Sequence, residues 1–305
     1  MVPSPFFYRA SFNLNPRIQN MLTTGLLRLL SVLPYSLVAR TGEGLGSLLH
    51  RIPSKRRHIV QTNLRLCFPE KSEAERQRLC KLVFRQVLRS YLERGLQWYG
   101  SADRLTLLTE VHSAIPLQDS YEQPTIFLGF HFAAIEAGCM MYSILHPVAS
   151  LYTPMSDGTT DNLALKQRSR FGTEMVPRHS SARNTLRILR SGKPIMLAAD
   201  MDFGLRDSVF APFFGVEACT LTAVSRLAQL SGARVVPFVT DVKDGYGGYK
   251  LHIFEPLANY PSGDVLADAQ AMNRFLETQI QRIPDQYYWV HRRFKRRPEG
   301  QASVY

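Results

Sequence analysis

The second half of the chain alternates between short apolar runs and longer segments with helical periodicity. The helical patterns fall at 132–145, 159–171 and 267–282. The apolar runs are rich in β-branched and aromatic residues, which is typical of buried strands. They are TIFLGF (125–130), VASLYTP (148–154), PIMLAAD (194–200), RVVPFVTDV (234–242) and YKLHIFEPL (249–257). This alternation predicts an α/β fold with a mostly parallel central sheet that is flanked by helices.

The first 110 residues show helical patterns and no comparable alternation. Ser72, followed three residues later by Glu75, has the form of a capping box at a helix start. An apolar stripe follows it, made of Leu79, Leu82, Val83, Val87 and Leu88. We therefore expect an N-terminal helical layer added to the α/β core without a linker.

The segment MLTTGLLRLLSVLPYSLVARTG (21–42) has about the length of a membrane span, but Arg28 and Pro34 interrupt it. Its leucines recur at intervals of three and four residues, at Leu26, Leu29, Leu30, Leu33 and Leu37. Three interpretations stay open: a helix lying in the membrane interface, a short anchor, or an ordinary core helix. The predicted division is an amphipathic or membrane-anchoring region at 1–50 and a main domain at 51–305.

Composition narrows the possible classes of protein. A hydrophobic content of 45% argues against wholesale disorder. Four scattered cysteines without a Cys-x-x-Cys pair argue against a disulfide scaffold or a zinc site. The sequence also contains neither a zincin-type histidine pair nor a glycine-rich phosphate loop.

The net charge of +12 indicates a polyanionic partner: nucleic acid, anionic lipid or an acidic carrier protein. A basic cluster near the C-terminus follows the aromatic stretch 287–289. It comprises Arg292, Arg293, Lys295, Arg296 and Arg297. Aromatic residues beside basic ones suit a membrane interface as well as stacked single-stranded nucleic acid.

His131 lies just after the first predicted strand, and Glu136 follows five residues later. Residues five apart on one helix point about 140° away from each other. The two side chains can therefore meet only if His131 precedes the helix and Glu136 lies one turn inside it. A histidine held by a carboxylate is a general base. Asp200 and Asp202 follow another predicted strand, and the carboxyl ends of parallel strands share one edge of a sheet.

The motif His-x4-Glu at a strand end resembles that of glycerolipid-type acyltransferases. Three further blocks resemble one branch, the late acyltransferases of lipid A biosynthesis. These blocks are QTNLRLCFPEKSEAER (61–76), ADMDFGLRDSVFAPFFGVEACT (199–220) and DQYYWVHRRFKRRPEG (285–300). Together they span nearly the whole chain, in the order expected for that family.

The resemblance implies transfer of a fatty acyl chain from an acyl carrier protein thioester to a hydroxyl of a lipid A precursor. The reaction would take place at the cytoplasmic face of the inner membrane, with 51–305 as the acyltransferase domain. His131 would be the base and Glu136 its partner, and no metal or redox cofactor is required. The family favours an acyl carrier protein, a glycolipid and an anionic membrane surface as partners over nucleic acid.

The same resemblance implies roles in substrate binding. Asp200 and Asp202 would orient an arginine or the acceptor sugar, or else satisfy backbone amides. Arg178 or Arg183 would bind the phosphate or headgroup of the acceptor, since a guanidinium holds phosphate bidentately. Phe213 and Phe214 would line an acyl tunnel or pack as a buried loop.

Two other functions stay open at this point. One is acyl transfer to another glycolipid or a phospholipid, with acyl-CoA as the donor. The other is a basic membrane- or nucleic-acid-binding protein without catalysis.

Overall fold

A computed structural model describes residues 16–155, 157–178 and 182–305. Its helices are α1 (Pro16–Val32), α2 (Tyr35–Arg51), α3 (Lys55–Cys67), α4 (Glu73–Tyr99), α5 (Ala102–Leu108), α6 (Asp119–Glu122), α7 (Ile135–Leu145), α8 (Gly158–Arg168), α9 (Ala182–Arg190), α10 (Ala223–Ser231) and α11 (Val265–Arg282). Its strands are β1 (Thr109–Ser113), β2 (Thr125–Gly129), β3 (Ala149–Tyr152), β4 (Glu174–Pro177), β5 (Ile195–Ala198), β6 (Ser208–Phe213), β7 (Val216–Leu221), β8 (Arg234–Val242) and β9 (Tyr249–Ile253).

The central sheet has the strand order β1-β9-β8-β2-β5-β3-β4. Its neighbouring strands are parallel except for the antiparallel pair β8 and β9, so the predicted α/β fold with a mostly parallel sheet is confirmed. Strands β6 and β7 form a separate antiparallel hairpin. The five predicted strands correspond to β2, β3, β5, β8 and β9. The edge strands β1 and β4 were not predicted, because they are short and partly exposed and lack a continuous apolar run. The hairpin was not predicted either, although its first strand is apolar, because Pro212 within that run argues against a strand.

The centre of the sheet is buried on both faces. All five residues of β2 are buried, which explains its uninterrupted apolar run. The four cysteines are also buried and form no disulfide. The capping box predicted at Ser72 and Glu75 is present and begins α4.

Helices α1 and α2 pack against the long helix α4. A side chain on Gly42 would place its Cβ 2.5 Å from the Cα of Arg89, and one on Gly46 would lie 2.4 Å from the Phe84 carbonyl oxygen. The two glycines therefore allow the helix backbones to approach closely. Arg89 bridges the same interface, donating to Glu43 at 3.0 Å and to Glu93 at 2.6 Å.

The outer face of α1 is apolar and exposed. Leu27 and Leu30 pack inward, whereas Met21 and Val32 are 74% and 73% exposed. The other large apolar residues on the outer face are Ile18, Leu22, Leu26 and Leu29. Within the described ranges, none of the helices combines the length and the apolar character that a membrane crossing requires.

Candidate active site

His131 lies in the turn between β2 and α7. The C-terminal segment, residues 283–305 after α11, holds this turn by two backbone hydrogen bonds. The Tyr288 amide donates to the His131 carbonyl at 2.8 Å, and the Ala133 amide donates to the Gln286 carbonyl at 2.7 Å. As predicted, the histidine therefore precedes the helix, and the C-terminal segment fixes the backbone of its turn.

Asp200 is the hydrogen-bonding partner of His131. Strands β2 and β5 are neighbours in which Gly129 pairs with Ala198, so His131 and Asp200 each lie two residues beyond a paired position. One Asp200 oxygen lies 2.6 Å from His131 Nδ1, and the other accepts from the His131 amide at 3.0 Å. With Nδ1–H donating to the carboxylate, the lone pair is on Nε2. That nitrogen is buried and has no hydrogen-bond partner among the described residues.

The environment favours a neutral imidazole. Burial lowers the pKa of His131, although the Asp200 carboxylate acts in the opposite direction. For Asp200, burial alone would raise the pKa, but the interaction with His131 outweighs this effect and lowers the pKa. The arrangement is therefore an ionised aspartate that orients a neutral histidine, which can accept a proton at Nε2.

Glu136 occupies a different site from the one expected. Its two oxygens accept from Arg168 Nε and Nη2, each at 2.8 Å, and the Trp98 indole donates to it at 2.9 Å. Burial opposes ionisation, but Arg168 outweighs this effect and lowers the pKa of Glu136 to about 2. The expectation of a hydrogen-bonded dyad with His131 is thus corrected: the buried Arg168 guanidinium requires this carboxylate, and Asp200 takes its place beside the histidine.

Asp202 holds the C-terminal segment against the loop after β5. One of its oxygens accepts from the Gly204 amide at 3.1 Å, and the other accepts from the Arg296 amide at 2.9 Å. The Arg296 guanidinium also pairs with this carboxylate. The two aspartates of one motif therefore fix the histidine and the C-terminal segment, respectively.

A cavity of about 330 Å³ opens at the same edge of the sheet, and Arg178 lines it. The Arg178 guanidinium carbon lies 4.0 Å from the centroid of the Phe203 ring, and burial lowers the pKa of the arginine. By contrast, Arg183 is exposed on α9, where it lines a separate groove with Arg187 and Arg190. The structure thus distinguishes the two arginines that the sequence had left equivalent.

Phe213 and Phe214 belong to an aromatic cluster in the core. Phe213 is completely buried and packs against Phe214, with ring centroids 5.1 Å apart. Phe214 contacts Phe68 at 5.1 Å and donates its amide to Glu277 at 2.7 Å. Phe213 ends strand β6 and Phe214 lies partly buried in the hairpin turn, so neither lines the cavity, whereas Phe203 does.

Comparison with known proteins agrees with this architecture over nearly the whole chain. A sequence profile of the bacterial lipid A biosynthesis acyltransferases matches residues 10–296. This chain belongs to that family. It is therefore an acyltransferase, and the resemblance seen in the sequence is confirmed.

Curated relatives cover the chain equally well. It is 37% identical to a lipid A biosynthesis lauroyltransferase of Escherichia coli K12, over 93% of this chain and 94% of the relative. A lipid A biosynthesis palmitoleoyltransferase of the same organism is 32% identical, over 92% of each chain. A lipid A biosynthesis acyltransferase of Haemophilus influenzae is 31% identical, over 93% of each chain.

The basic cluster of this acyltransferase is not a uniform surface patch. Arg293 is completely buried and donates to the Cys219 carbonyl at 2.7 Å and to the Thr220 hydroxyl at 3.0 Å. Arg292 and Lys295 are exposed. Part of the charge that predicted a polyanionic partner is therefore used inside the fold.

Two further residues near Asp200, Tyr287 and His291, were not predicted to lie at the catalytic site. Tyr287 is completely buried and His291 is partly buried, and the Asp200 charge acts on both. Burial raises the pKa of Tyr287 and lowers that of His291 to about 4, so both are neutral. Both residues lie in the C-terminal block 285–300, and the resemblance of that block to the family was the sequence feature that could have identified them.

Proposed function

We propose that this acyltransferase transfers a fatty acyl chain from an acyl carrier protein thioester to a hydroxyl of a lipid A precursor. His131 is the general base, and Asp200 orients it. The observation that carries this proposal is the 2.6 Å contact between His131 Nδ1 and Asp200, which leaves Nε2 with no partner in the described part of the chain. A lone pair held in this way is suited to a hydroxyl proton.

In the proposed reaction, the acceptor hydroxyl donates its hydrogen bond to His131 Nε2. The hydroxyl oxygen attacks the thioester carbonyl while its proton moves to Nε2, and Asp200 stabilises the imidazolium that forms. Collapse of the tetrahedral intermediate breaks the carbon–sulfur bond. The departing sulfur takes the proton from the imidazolium and leaves as a thiol, which restores the neutral histidine.

Direct attack by the acceptor suits the cysteines of the chain. Burial raises the pKa of Cys139 to about 12, and it raises the pKa of Cys80 to the same value. A thiol in that state is a poor nucleophile. Because a thioester is already activated, transfer within a ternary complex needs no covalent acyl-enzyme.

Arg178 is the arginine we assign to the acceptor phosphate. Its side chain is half-buried and has no ion pair or hydrogen bond to any residue that the structure describes. A cation in that position is poorly solvated, and an anionic ligand would compensate it. A guanidinium also offers phosphate two parallel hydrogen bonds.

We propose that Glu136 supports the site from a distance. It joins α7 to α8 through Arg168 and to α4 through Trp98. Because α7 begins four residues after His131, these contacts fix the helix that follows the catalytic turn. Glu136 is therefore a positioning residue in this mechanism.

The exposed apolar face of α1 supports attachment to the inner membrane from the cytoplasmic side. An amphipathic helix with an unpartnered apolar face buries it among lipid acyl chains, while nearby basic residues meet anionic headgroups. Arg28 on α1 stacks on Tyr99 and lies beside this face. Replacing Leu22 and Leu26 by Ser should release the protein from anionic vesicles in a flotation assay. The same change at exposed Leu107 and Leu266 is the control.

The test of the reaction is acyl transfer in detergent micelles. Carrier protein thioesters are supplied as donors and a Kdo-bearing tetra-acylated lipid A precursor as acceptor. His131→Ala should lower kcat by about 10²–10⁴-fold, whereas His112→Ala, at an exposed histidine of β1, should leave it unchanged. Equal turnover in His131→Ala and the wild type would contradict the base assignment. If the protein turns over only with acyl-CoA as donor and a phospholipid as acceptor, the proposed substrates are wrong, and the assignment of His131 as the base still stands.

A further inference from the structure

The cavity at the catalytic edge lies between α9, α10 and the ends of β3 and β5. Its wall is mostly hydrocarbon, with contributions from Ala198, Ala223 and the ring of Phe203. Five leucines complete the wall: Leu151, Leu197, Leu221, Leu227 and Leu230. Such a lining suits an apolar ligand, since moving each CH₂ group of the ligand from water into it is favourable.

The polar groups of the cavity are concentrated at one end. Arg178 and Thr153 follow the carboxyl ends of β4 and β3, and Asp207 pairs with Arg226 near the start of α10. Helix α10 then runs from the carboxyl edge of the sheet toward the amino edge, where β8 begins. Leu227 and Leu230 lie along this path, the latter about 10 Å from the helix start at 1.5 Å per residue. The cavity is therefore polar at the catalytic edge and apolar along α10.

The polar end lies close to the catalytic pair. Ala198 lines the cavity and pairs in the sheet with Gly129, which lies two residues before His131. Asp200 lies two residues beyond Ala198, and two residues of chain span at most about 7 Å. A carbonyl held at His131 can therefore have its hydrocarbon chain in this cavity.

We propose that the cavity binds the fatty acyl chain of the donor thioester and that Leu227 and Leu230 on α10 set the preferred chain length. The inference rests on the proposed function, because it assigns one substrate of that reaction to a place. The cavity suits any single hydrocarbon chain, so an acyl chain of the acceptor is the alternative ligand. A bulkier residue at either leucine shortens the space along α10, and a smaller one lengthens it.

Two readouts test this assignment on the purified full-length protein. The first is kcat/KM for carrier protein thioesters from decanoyl to palmitoyl, at a constant acceptor. Leu227→Trp should raise the ratio of short-chain to long-chain kcat/KM by about tenfold or more, and Leu227→Ala should move it the other way. Leu230→Trp is the second variant. Because Leu230 is 59% exposed, the fold should tolerate the change, and Leu266→Trp, at an exposed position on α11, is its matched control.

The second readout is thermal stabilisation by non-hydrolysable acyl-pantetheine analogues of the same chain lengths, which requires no turnover. Chain-length-dependent stabilisation that Leu227→Trp shifts to shorter analogues supports the cavity assignment, even if the wild type transfers nothing to a lipid A precursor. In that case the proposed acceptor fails and the acyl site stands. If folded Leu227→Trp and Leu230→Trp keep the wild-type profile in both readouts, the assignment is overturned. A profile that instead follows the chain length of the acceptor assigns the cavity to the acceptor.

Discussion

Two buried carboxylates near the catalytic turn have opposite chemical settings. Asp200 and Glu136 are both buried, and both have lowered pKa values. Asp200 holds a histidine, which exchanges protons near neutral pH, whereas Glu136 holds Arg168, which stays protonated. The histidine keeps one nitrogen without a partner among the described residues, while both oxygens of Glu136 are occupied. The two carboxylates therefore differ in their partners and not in their burial or the direction of their pKa shifts. Asp200 contacts a base that can exchange a proton, whereas Glu136 contacts a cation that stabilises the fold.

The largest effect that would test this comparison is expected from Asp200→Asn. An amide cannot stabilise the imidazolium, and its nitrogen can donate to Nδ1 and impose the wrong tautomer. We expect kcat to fall by about 10²–10⁴-fold in the micelle assay with little change in melting temperature. Glu136→Gln should lower kcat less. A greater loss in Glu136→Gln at a native melting temperature would make Glu136 the catalytic partner.

Glu136→Gln should have its main effect on stability. The change leaves the buried Arg168 without a counter-charge, and breaking such a pair costs about 3–5 kcal/mol of unfolding free energy. Urea unfolding in detergent measures this loss. The double variant Glu136→Gln/Arg168→Met should recover part of it, since no unpaired charge then remains. A stability equal to that of the wild type would show that the pair does not hold α7 to α8.

The pH dependence of the stability lost in Glu136→Gln is the control for this prediction. The pKa of Glu136 is about 2 in the folded protein, against an ordinary value of 4.5. A carboxyl with a lowered pKa contributes stability above its unfolded pKa and loses that contribution as the pH falls through its folded pKa. The stability difference between the wild type and Glu136→Gln should therefore be full above pH 4.5 and narrow toward pH 2.

A smaller effect is expected within the C-terminal basic cluster. Arg293→Met removes the buried hydrogen bonds that Arg293 donates to the Cys219 carbonyl and the Thr220 hydroxyl, which costs about 2–3 kcal/mol of unfolding free energy. Its neighbour Arg292 is exposed, so Arg292→Met should change the unfolding free energy by less than about 0.5 kcal/mol. Equal losses in the two variants would contradict the division of this cluster into buried and surface charges.

The sequence predicted features that depend on neighbours along the chain. The run ending at Phe130 marks β2 because consecutive buried residues leave a continuous apolar signal, and the turn that follows it places His131 before α7. The capping box at Ser72 is likewise local. Such patterns predicted the fold class, most of the sheet and the family resemblance.

Contacts between distant residues could not be read in this way. Asp200 is 69 residues from His131 and reaches it only because β5 is adjacent to β2. The local spacing favoured Glu136, but the sequence does not show that Arg168 on α8 takes that carboxylate. The positive charges near the C-terminus could be counted, yet the burial of Arg293 depends on contacts with a hairpin that lies more than 70 residues earlier in the chain.

The smallest effect expected is a displacement of the pH profile of kcat/KM. Burial lowers the pKa of His131, so the neutral base persists below the ordinary histidine value of 6.5, and the acid limb of the profile should lie below that pH. Asp200 acts against burial by favouring the charged ring. Asp200→Asn should therefore move the acid limb to still lower pH while it lowers the plateau, and Glu136→Gln should leave the limb in place. A limb that moves with Glu136→Gln and not with Asp200→Asn would mean that the charge acting on the base is that of Glu136.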